Sequence, residues 1–231
     1  MPQNFFVTGL PKSGKTTLLR RIIKDLKEMG LKVGGFISPE QTHNGARSGF
    51  YVEDIETGRI ELLADKNVDG PKVSKYHVDI KSFESVSIPA MERFRRYDVM
   101  IIDEIGRMEL KSARFSELLD RVLDSGTPLV ASLHNDFIEK YGAYGNVLYL
   151  TGNNHEDVYD ELLEGIKSYR ERRKAAPKKE EAKKAKMAPQ KKMKGKKYEE
   201  PEEEEPKKEE GEEKREKGPA VMEKLRDLLG F

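Results

Sequence analysis

The sequence predicts a three-layer α/β fold, with a mainly parallel sheet, helices on both faces of the sheet and an antiparallel hairpin insert. Short apolar runs typical of buried strands alternate with segments in which apolar residues recur at helical spacing. Strands that alternate with helices are joined by right-handed crossovers and form a parallel sheet. Two strand-like runs separated by only three residues interrupt this alternation and indicate the hairpin.

The individual elements follow from the same patterns. We predict strands at residues 4–8, 32–38, 49–55, 59–63, 76–80, 97–104, 128–133 and 146–150. We predict helices at residues 18–26, 83–96, 115–123, 137–141 and 158–166, with Pro89 near the first turn of the second helix. The polar segment 39–48 is predicted to be a loop. The hairpin that follows it is expected at the edge of the sheet.

A glycine-rich loop, Gly9–Thr16, follows the first strand and precedes the first helix. It fits G-x-x-x-x-G-K-[ST], a loop whose backbone N–H groups cradle phosphate at the positive end of a helix. A glycine turn without a ligand is the alternative, but the full pattern in its expected context favours phosphate. The residues predicted to bind a nucleotide here are Gly9, Leu10, Pro11, Lys12, Ser13, Gly14, Lys15 and Thr16.

Three residues at the end of this loop have separate predicted roles. Lys15 is expected to reach the β- and γ-phosphates and so to act in catalysis, and Thr16 is expected to ligate Mg²⁺. The Thr17 hydroxyl either contacts the α-phosphate or belongs to an ordinary polar residue in the first turn of the helix.

Asp103 and Glu104 end a continuous apolar strand, at the sheet edge where open α/β folds bind ligands. Asp103 is predicted to hold Mg²⁺, directly or through water. The alternative is a strand-terminal carboxylate that caps the next turn. Glu104 is predicted to orient or deprotonate the attacking water, whereas the alternative is that it only supports the water shell of the metal.

Arg107 lies just beyond Gly106 and is the third candidate catalytic residue. A cation directed at the γ-phosphate would stabilise the charge of the transition state. Arg107 pairing with Glu109 on the surface is the competing interpretation. Lys12, within the glycine-rich loop, is a further cationic candidate.

Composition divides the chain of 231 residues into a globular part and a charged tail. Residues 1–169 mix apolar and charged side chains as a globular domain does. Residues 170–220 are basic and then acidic and are predicted to be disordered, and residues 221–231 are predicted to form a short amphipathic helix. The tail is either a solvated extension or a basic arm for nucleic acid, with the terminal helix docking a protein partner.

The remaining composition excludes several classes of site. The chain has no cysteine, which excludes disulfides and thiolate metal sites and is consistent with the predicted cytoplasmic location. The four histidines show no metal-ligand spacing. No apolar run approaches the length of a membrane span, and the chain enters a predicted strand too early for a signal peptide.

Taken together, several segments resemble the THEP-type nucleoside triphosphatases. These are Gly9–Thr17, Glu40, Arg47 with Gly49-Phe50, Tyr76, Phe83-Glu84, Ile101–Leu110 and Leu129–Ala131. The resemblance implies a RecA-like domain that hydrolyses ATP, GTP, CTP and UTP with Mg²⁺ and broad base tolerance. It also implies nucleotide contacts from Val99, Met100, Ile101, Ile102, Asp103, Glu104, Ile105 and Gly106.

Thr42 and His155 depart from this family pattern, because the family usually has arginine at both positions. Both are expected in loops bordering the nucleotide, where the missing cations would weaken binding or change base preference. Two rival functions remain. One is a P-loop kinase for a nucleoside or small molecule, with an acceptor pocket near Arg47 and Arg59. The other is a nucleotide-switched adaptor that signals through its tail.

Overall fold

The computed structural model describes the backbone of residues 4–187 and the side chains of residues 4–172. Within this range ten strands form one sheet. The strands are β1 (Phe5–Thr8), β2 (Val33–Ile37), β3 (Glu40–His43), β4 (Ala46–Asp54), β5 (Ile60–Asp65), β6 (Lys72–Val73), β7 (Tyr76–Val78), β8 (Val99–Ile105), β9 (Leu129–Leu133) and β10 (Asn146–Tyr149). The α-helices are α1 (Lys15–Glu28), α2 (Ile80–Glu92), α3 (Ala113–Leu123), α4 (Ile138–Tyr141) and α5 (His155–Met187).

The sheet has a parallel half and an antiparallel half. Parallel pairings join β10, β1, β9, β8 and β2 in that order. Beyond β2, antiparallel pairings continue through β4, β5, β7 and β6, and β3 pairs with β4. The predicted α/β class with an antiparallel insert at the sheet edge is therefore confirmed. The insert, however, is larger than the single hairpin that was predicted.

Apolar side chains cover both faces of the sheet. On one face, the rings of Phe36, Phe83 and Phe115 meet edge to face, with centroids 5.5 to 5.9 Å apart, and join β2 to α2 and α3. On the other face, Leu19 of α1 and Leu162 of α5 are fully buried against the parallel strands. Burying each of these side chains contributes about 1.5 to 3 kcal/mol to the stability of the fold.

The prediction of a loop over residues 39–48 was wrong, because this segment contains β3 and the start of β4. β3 pairs with β4, and His43 lies opposite Ala46, so Asn44-Gly45 is a two-residue turn. Asn-Gly is the sequence that such turns favour. The polar composition concealed the strand because β3 is largely exposed at the sheet edge.

The position predicted for Pro89 was also wrong. α2 begins earlier than predicted, at Ile80, because the Asp79 side chain accepts a hydrogen bond from the Ser82 N–H at 2.9 Å and caps the helix. Pro89 therefore lies inside the helix, where it has no N–H to donate. The helix ends three residues later at Glu92, and a short 3₁₀ turn over Phe94–Arg96 follows it.

The last helix continues well beyond the predicted domain boundary. α5 extends to Met187, so residues 170–187, which were assigned to the disordered tail, are helical. Alanine, glutamate and lysine, which are frequent there, all have high helix propensity. The rest of the tail, including the predicted helix at residues 221–231, lies outside the described residues. No helix that the structure describes combines the length and the apolar character needed to cross a membrane.

A charged network joins the end of β4 to the segment between α2 and β8. Asp54 accepts hydrogen bonds from the backbone N–H groups of Glu56 and Thr57 and from Arg93 Nη2 at 2.6 Å. Arg93 also donates to Tyr97 Oη at 2.8 Å. Burial alone would raise the pKa of Asp54, but the hydrogen bonds from Arg93 and the two backbone groups outweigh it and lower the pKa.

We expect Asp54→Asn to lower the free energy of unfolding by about 2 kcal/mol near pH 7, because Arg93 loses its charged partner. The contribution of Asp54 is fully present above its ordinary pKa of 3.8 and is lost as the pH falls through the lower folded value. The difference between variant and wild type should therefore shrink in acid. Urea titrations at about pH 7 and about pH 3 measure it. The exposed Asp69→Asn is the control, and an equal deficit at both pH values would contradict the assignment.

Candidate functional site

The site lies where three parallel strands end side by side. β9 pairs with both β1 and β8, so the loop after β1 and the two carboxylates that end β8 meet at one edge of the sheet. Thr8, the last residue of β1, donates a hydrogen bond to Asn135 beyond β9 at 2.6 Å. A cavity of about 550 Å³ opens at this edge and is lined by residues from all three strand ends.

The glycine-rich loop wraps around the N-terminus of α1. Gly14 precedes the helix with a φ of 92°, a left-handed conformation that favours glycine. The first turn of α1 contains no acidic residue, so the positive end of the helix is not neutralised locally. Lys15 Nζ donates to the carbonyl oxygens of Gly9 at 3.1 Å and Leu10 at 3.2 Å. This arrangement has the features of an anion site.

Most of the predicted loop residues line the cavity, and two do not. Those that line it are Gly9, Pro11, Lys12, Gly14, Lys15, Thr16 and Thr17. Leu10 is 71% exposed and is not among the residues that line the cavity. Ser13 also lies outside the lining, and its buried Oγ has no hydrogen-bond partner among the described residues.

Asp103 is almost fully buried at the end of β8. Its Oδ1 accepts a hydrogen bond from Ser132 Oγ of β9 at 2.5 Å, while its buried Oδ2 has no hydrogen-bond partner within the described part of the chain. Burial raises the pKa of Asp103, and the Ser132 and Thr16 hydroxyls and the Lys15 charge act in the opposite direction. A buried, unpartnered carboxylate oxygen close to Thr16 fits a hard cation such as Mg²⁺.

Glu104 lines the same cavity beside Asp103. Burial and the negative charge of Asp103 raise the pKa of Glu104 to about 7, and the positive charge of Lys15 opposes the shift. A carboxyl group with a pKa near neutrality is suited to accept a proton during a reaction. No group of three or more histidine, aspartate or glutamate side chains suited to a metal occurs among the described residues.

Glu109 is a site residue that the sequence analysis missed. It was considered only as a surface partner of Arg107, but it lines the cavity and is 4% exposed. Burial, followed by the charges of Glu104 and Asp103, raises its pKa well above the ordinary value. A Cβ added at Gly106 would lie 2.8 Å from Glu109 Oε2 and 3.1 Å from Glu104 Oε1, so both carboxyl groups pack around this glycine. The sequence around Glu109 gave no sign that its side chain is buried.

Arg107 pairs with Asp136 rather than with Glu109. Arg107 Nε donates to Asp136 Oδ2 at 2.5 Å, and Nη2 contacts the same oxygen. Arg107 also lines the cavity, with its side chain 58% exposed. The ion pair orients the guanidinium but leaves it accessible from the cavity.

Of the eight residues of the segment 99–106 that were expected to contact a nucleotide, five do not line the cavity. Their side chains pack into the two apolar layers on either side of β8. The five residues, each fully buried, are Val99, Met100, Ile101, Ile102 and Ile105. Within this segment, the cavity is therefore lined by Asp103, Glu104 and Gly106. The buried apolar residues of β8 hold these three residues in position.

The antiparallel insert forms the other side of the cavity. Arg47 and Phe50 of β4 and Leu63 of β5 line it, together with Ser38 at the end of β2. Arg59, the second arginine expected near an acceptor pocket, does not line it. Arg59 instead contacts Glu61 at 3.2 Å and Ser85 at 3.1 Å.

The two departures from the family pattern lie in different environments. Thr42 belongs to β3 rather than to a loop, and it is exposed and outside the cavity lining. His155 begins α5 beside the glycine-rich loop, where a Cβ added at Gly14 would lie 2.5 Å from the His155 ring. Only His155, of these two positions, is therefore next to the phosphate-binding loop.

Comparison with known proteins identifies the family. A family model described as NTPase matches residues 4–163. The nucleoside-triphosphatase THEP1 of Pyrococcus abyssi is 43% identical over 164 residues, which are 71% of this chain and 92% of the relative. The THEP1 protein of Methanocaldococcus jannaschii is 41% identical over 162 residues, which are 70% of this chain and 95% of the relative. This chain belongs to the THEP1 family of nucleoside triphosphatases.

Solved structures agree with this membership. The crystal structure of THEP1 from Aquifex aeolicus superposes with a TM-score of 0.61 at 26% identity, covering 71% of this chain and 98% of that one. The solution structure of a human cancer-related nucleoside triphosphatase gives a TM-score of 0.60, also at 26% identity, and covers 71% of this chain and 97% of that one. The THEP1 fold therefore accounts for the globular part of the chain.

Gly106→Ala tests the packing of the two carboxyl groups around this glycine. The added Cβ would force Glu109 and Glu104 to shift, so we expect phosphate release from nucleoside triphosphates, the activity for which the family is named, to fall about tenfold or more. Gly126→Ala, where the added Cβ meets nothing within 4 Å, is the matched control. Circular dichroism establishes that both variants are folded. A Gly106→Ala rate equal to that of the control would contradict the packing argument.

Proposed function

We propose that this protein hydrolyses nucleoside 5′-triphosphates, namely ATP, GTP, CTP and UTP, to the diphosphate and inorganic phosphate in a Mg²⁺-dependent reaction. One observation carries the proposal. The unpartnered Oδ2 of Asp103 and the Glu104 carboxyl group line the same cavity as the glycine-rich loop. A phosphate cradle, an acceptor atom for a cation and a group able to take a proton are therefore combined.

The glycine-rich loop is proposed to hold the triphosphate. The N–H groups at the start of α1 and the Lys15 ammonium attract the phosphate oxygens. Lys15 presently contacts two loop carbonyls, so its side chain already lies along the loop. The Thr17 hydroxyl is proposed to contact the α-phosphate. Because these groups all address phosphate, they support the proposed tolerance for different bases.

Thr16 and Asp103 are the residues proposed to hold Mg²⁺, with Asp103 acting directly or through water. The fit rests on the buried, unpartnered Oδ2 of Asp103. When bound, the cation neutralises charge on the β- and γ-phosphate oxygens. Ser132, by its hydrogen bond to Oδ1, leaves Oδ2 as the free acceptor.

Glu104 is proposed to act on the attacking water. Its carboxylate accepts a proton from the water as the water oxygen forms a bond to the γ-phosphorus, and the bond to the bridging oxygen of the β-phosphate breaks. Burial near Asp103 favours proton uptake at Glu104. Glu109 packs beside it around Gly106 and supports its position.

Phosphate release across the four triphosphates, with and without Mg²⁺, tests these roles in Lys15→Ala and Glu104→Gln. Lys15→Ala is expected to lose both nucleotide binding and rate. Glu104→Gln is expected to keep binding but to lose rate by about 10²- to 10⁴-fold, because only proton transfer is removed. Removal of Mg²⁺ with EDTA should abolish turnover.

Lys24→Ala and Glu28→Gln serve as controls, since these residues form an exposed ion pair on α1 away from the cavity. Normal hydrolysis by Glu104→Gln would refute the role of Glu104. Phosphate release from triphosphate and Mg²⁺ alone separates hydrolysis from a kinase, which needs an acceptor. Turnover that appears only with an added acceptor would overturn the proposal.

Arg107 is proposed to stabilise negative charge on the γ-phosphate in the transition state. Arg107→Ala should lower kcat at least about tenfold with little change in nucleotide affinity, because charge develops only during the reaction. Arg114→Ala is the matched control, since Arg114 pairs with Glu84 at 3.2 Å and does not line the cavity. An unchanged kcat in Arg107→Ala would show that this arginine only pairs with Asp136.

A further inference from the structure

The cavity is lined by residues of the antiparallel insert as well as by the glycine-rich loop and the carboxylates of β8. Neighbouring strands lie about 4.8 Å apart, and β2 is three strands from β1, so the ends of these two strands are separated by about 14 Å across the sheet. Ser38 follows directly after β2. Glu104 on β8 stands between the two ends. We call the part lined by Ser38, Arg47, Phe50, Leu63 and Met108 the insert pocket.

The nucleoside of a bound triphosphate is directed away from the insert pocket. This step rests on the proposed function, in which Thr17 contacts the α-phosphate and Glu104 faces the γ-phosphate. A nucleoside is attached at the α-phosphate, whereas the insert pocket begins beyond the γ-phosphate. The insert pocket is therefore available to a second molecule.

The walls of the insert pocket are apolar and partly aromatic. Leu63 is buried and Phe50 is half-buried, and the Phe50 ring packs edge to face against Tyr76 with centroids 5.4 Å apart. The Arg47 guanidinium lies 5.2 Å from the centroid of the Phe50 ring. A ring held in place on one edge, with its face near a guanidinium, provides a surface on which a planar ligand stacks.

Two buried polar atoms of the insert pocket have no hydrogen-bond partner in the described part of the protein. They are Arg47 Nε and Ser38 Oγ. Buried polar groups in folded proteins nearly always have a partner, so each orphan points to a ligand or to water. One is an N–H donor and the other a hydroxyl that both donates and accepts.

The charges of the pocket select against an anionic ligand. Arg47 is already paired with Glu40, through Nη1 and Oε1 at 2.5 Å. Asp103 and Glu104 border the pocket and would repel a further negative charge. We propose that the insert pocket binds an uncharged nucleoside, with its base against Phe50 and its polar edge on Arg47 Nε and Ser38 Oγ, while the glycine-rich loop holds a triphosphate.

Equilibrium dialysis of the full chain against radiolabelled adenosine, guanosine, cytidine or uridine tests this site. Each nucleoside is used with and without Mg²⁺ and the β,γ-imido analogue of ATP, which occupies the phosphate loop without turnover. We expect at least one nucleoside to bind while the analogue is bound. Phe50→Ala is expected to weaken its affinity about tenfold, as loss of base stacking does.

Arg47→Lys keeps the positive charge and removes the Nε donor. It should also weaken nucleoside binding, and unlike Phe50→Ala it does not remove a large side chain. Tyr51→Ala and Arg59→Ala lie on the same insert outside the cavity lining and should bind as wild type does. Circular dichroism establishes that every variant is folded.

Three results would overturn the proposal. The first is the absence of nucleoside binding in the wild type under both conditions. The second is displacement of the nucleoside by the ATP analogue, which would make the insert pocket the base subsite of the triphosphate. The third is equal binding by wild type, Phe50→Ala and Arg47→Lys. Dialysis measures binding and does not depend on turnover. Its result can therefore be interpreted even if the protein hydrolyses no triphosphate, and the two proposals are tested independently.

Discussion

The hydrogen bond from Ser132 to Asp103 is the interaction on which the rest of the site depends. It joins the ends of β9 and β8 and turns one oxygen of a buried carboxylate inward, which leaves the other without a protein partner. Removing a carboxylate from water is costly unless hydrogen bonds or a cation compensate it. The parallel sheet makes this possible, because it brings the glycine-rich loop and the two acids to the same edge.

The edge of the sheet where these strands end also carries several acidic residues within one short segment. Glu104 and Glu109 pack around Gly106, where an added Cβ would require movement, and Asp103 directly precedes Glu104 in the chain. Their mutual repulsion and their burial favour the neutral forms of the carboxyl groups, and Lys15 opposes this. The free-energy cost of burying these carboxyl groups is concentrated in this one segment. Stability of this segment therefore comes from the apolar strand beneath it, whose residues are fully buried.

The antiparallel insert extends the sheet beyond β2 and closes the far side of the cavity. It is anchored through the Asp54, Arg93 and Tyr97 network, which ties the end of β4 to the segment before β8. The antiparallel half of the sheet is therefore linked to the parallel half both through the pairing of β2 with β4 and through this network. The family model matches residues 4–163, a range that includes the antiparallel insert.

The sequence by itself determined the α/β class, the glycine-rich loop and the acids near the end of β8, because these depend on local patterns: hydrophobic periodicity and a contiguous motif. Only the tertiary structure decided the contacts made between distant segments. The burial of Glu109 and the pairing of Arg107 with Asp136 both depend on how separate elements pack. The hairpin at residues 40–54 was missed for the same reason, since an exposed edge strand is polar and its pairing partner alone identifies it. Local patterns report which face of an element is apolar, but they do not report what lies across from it.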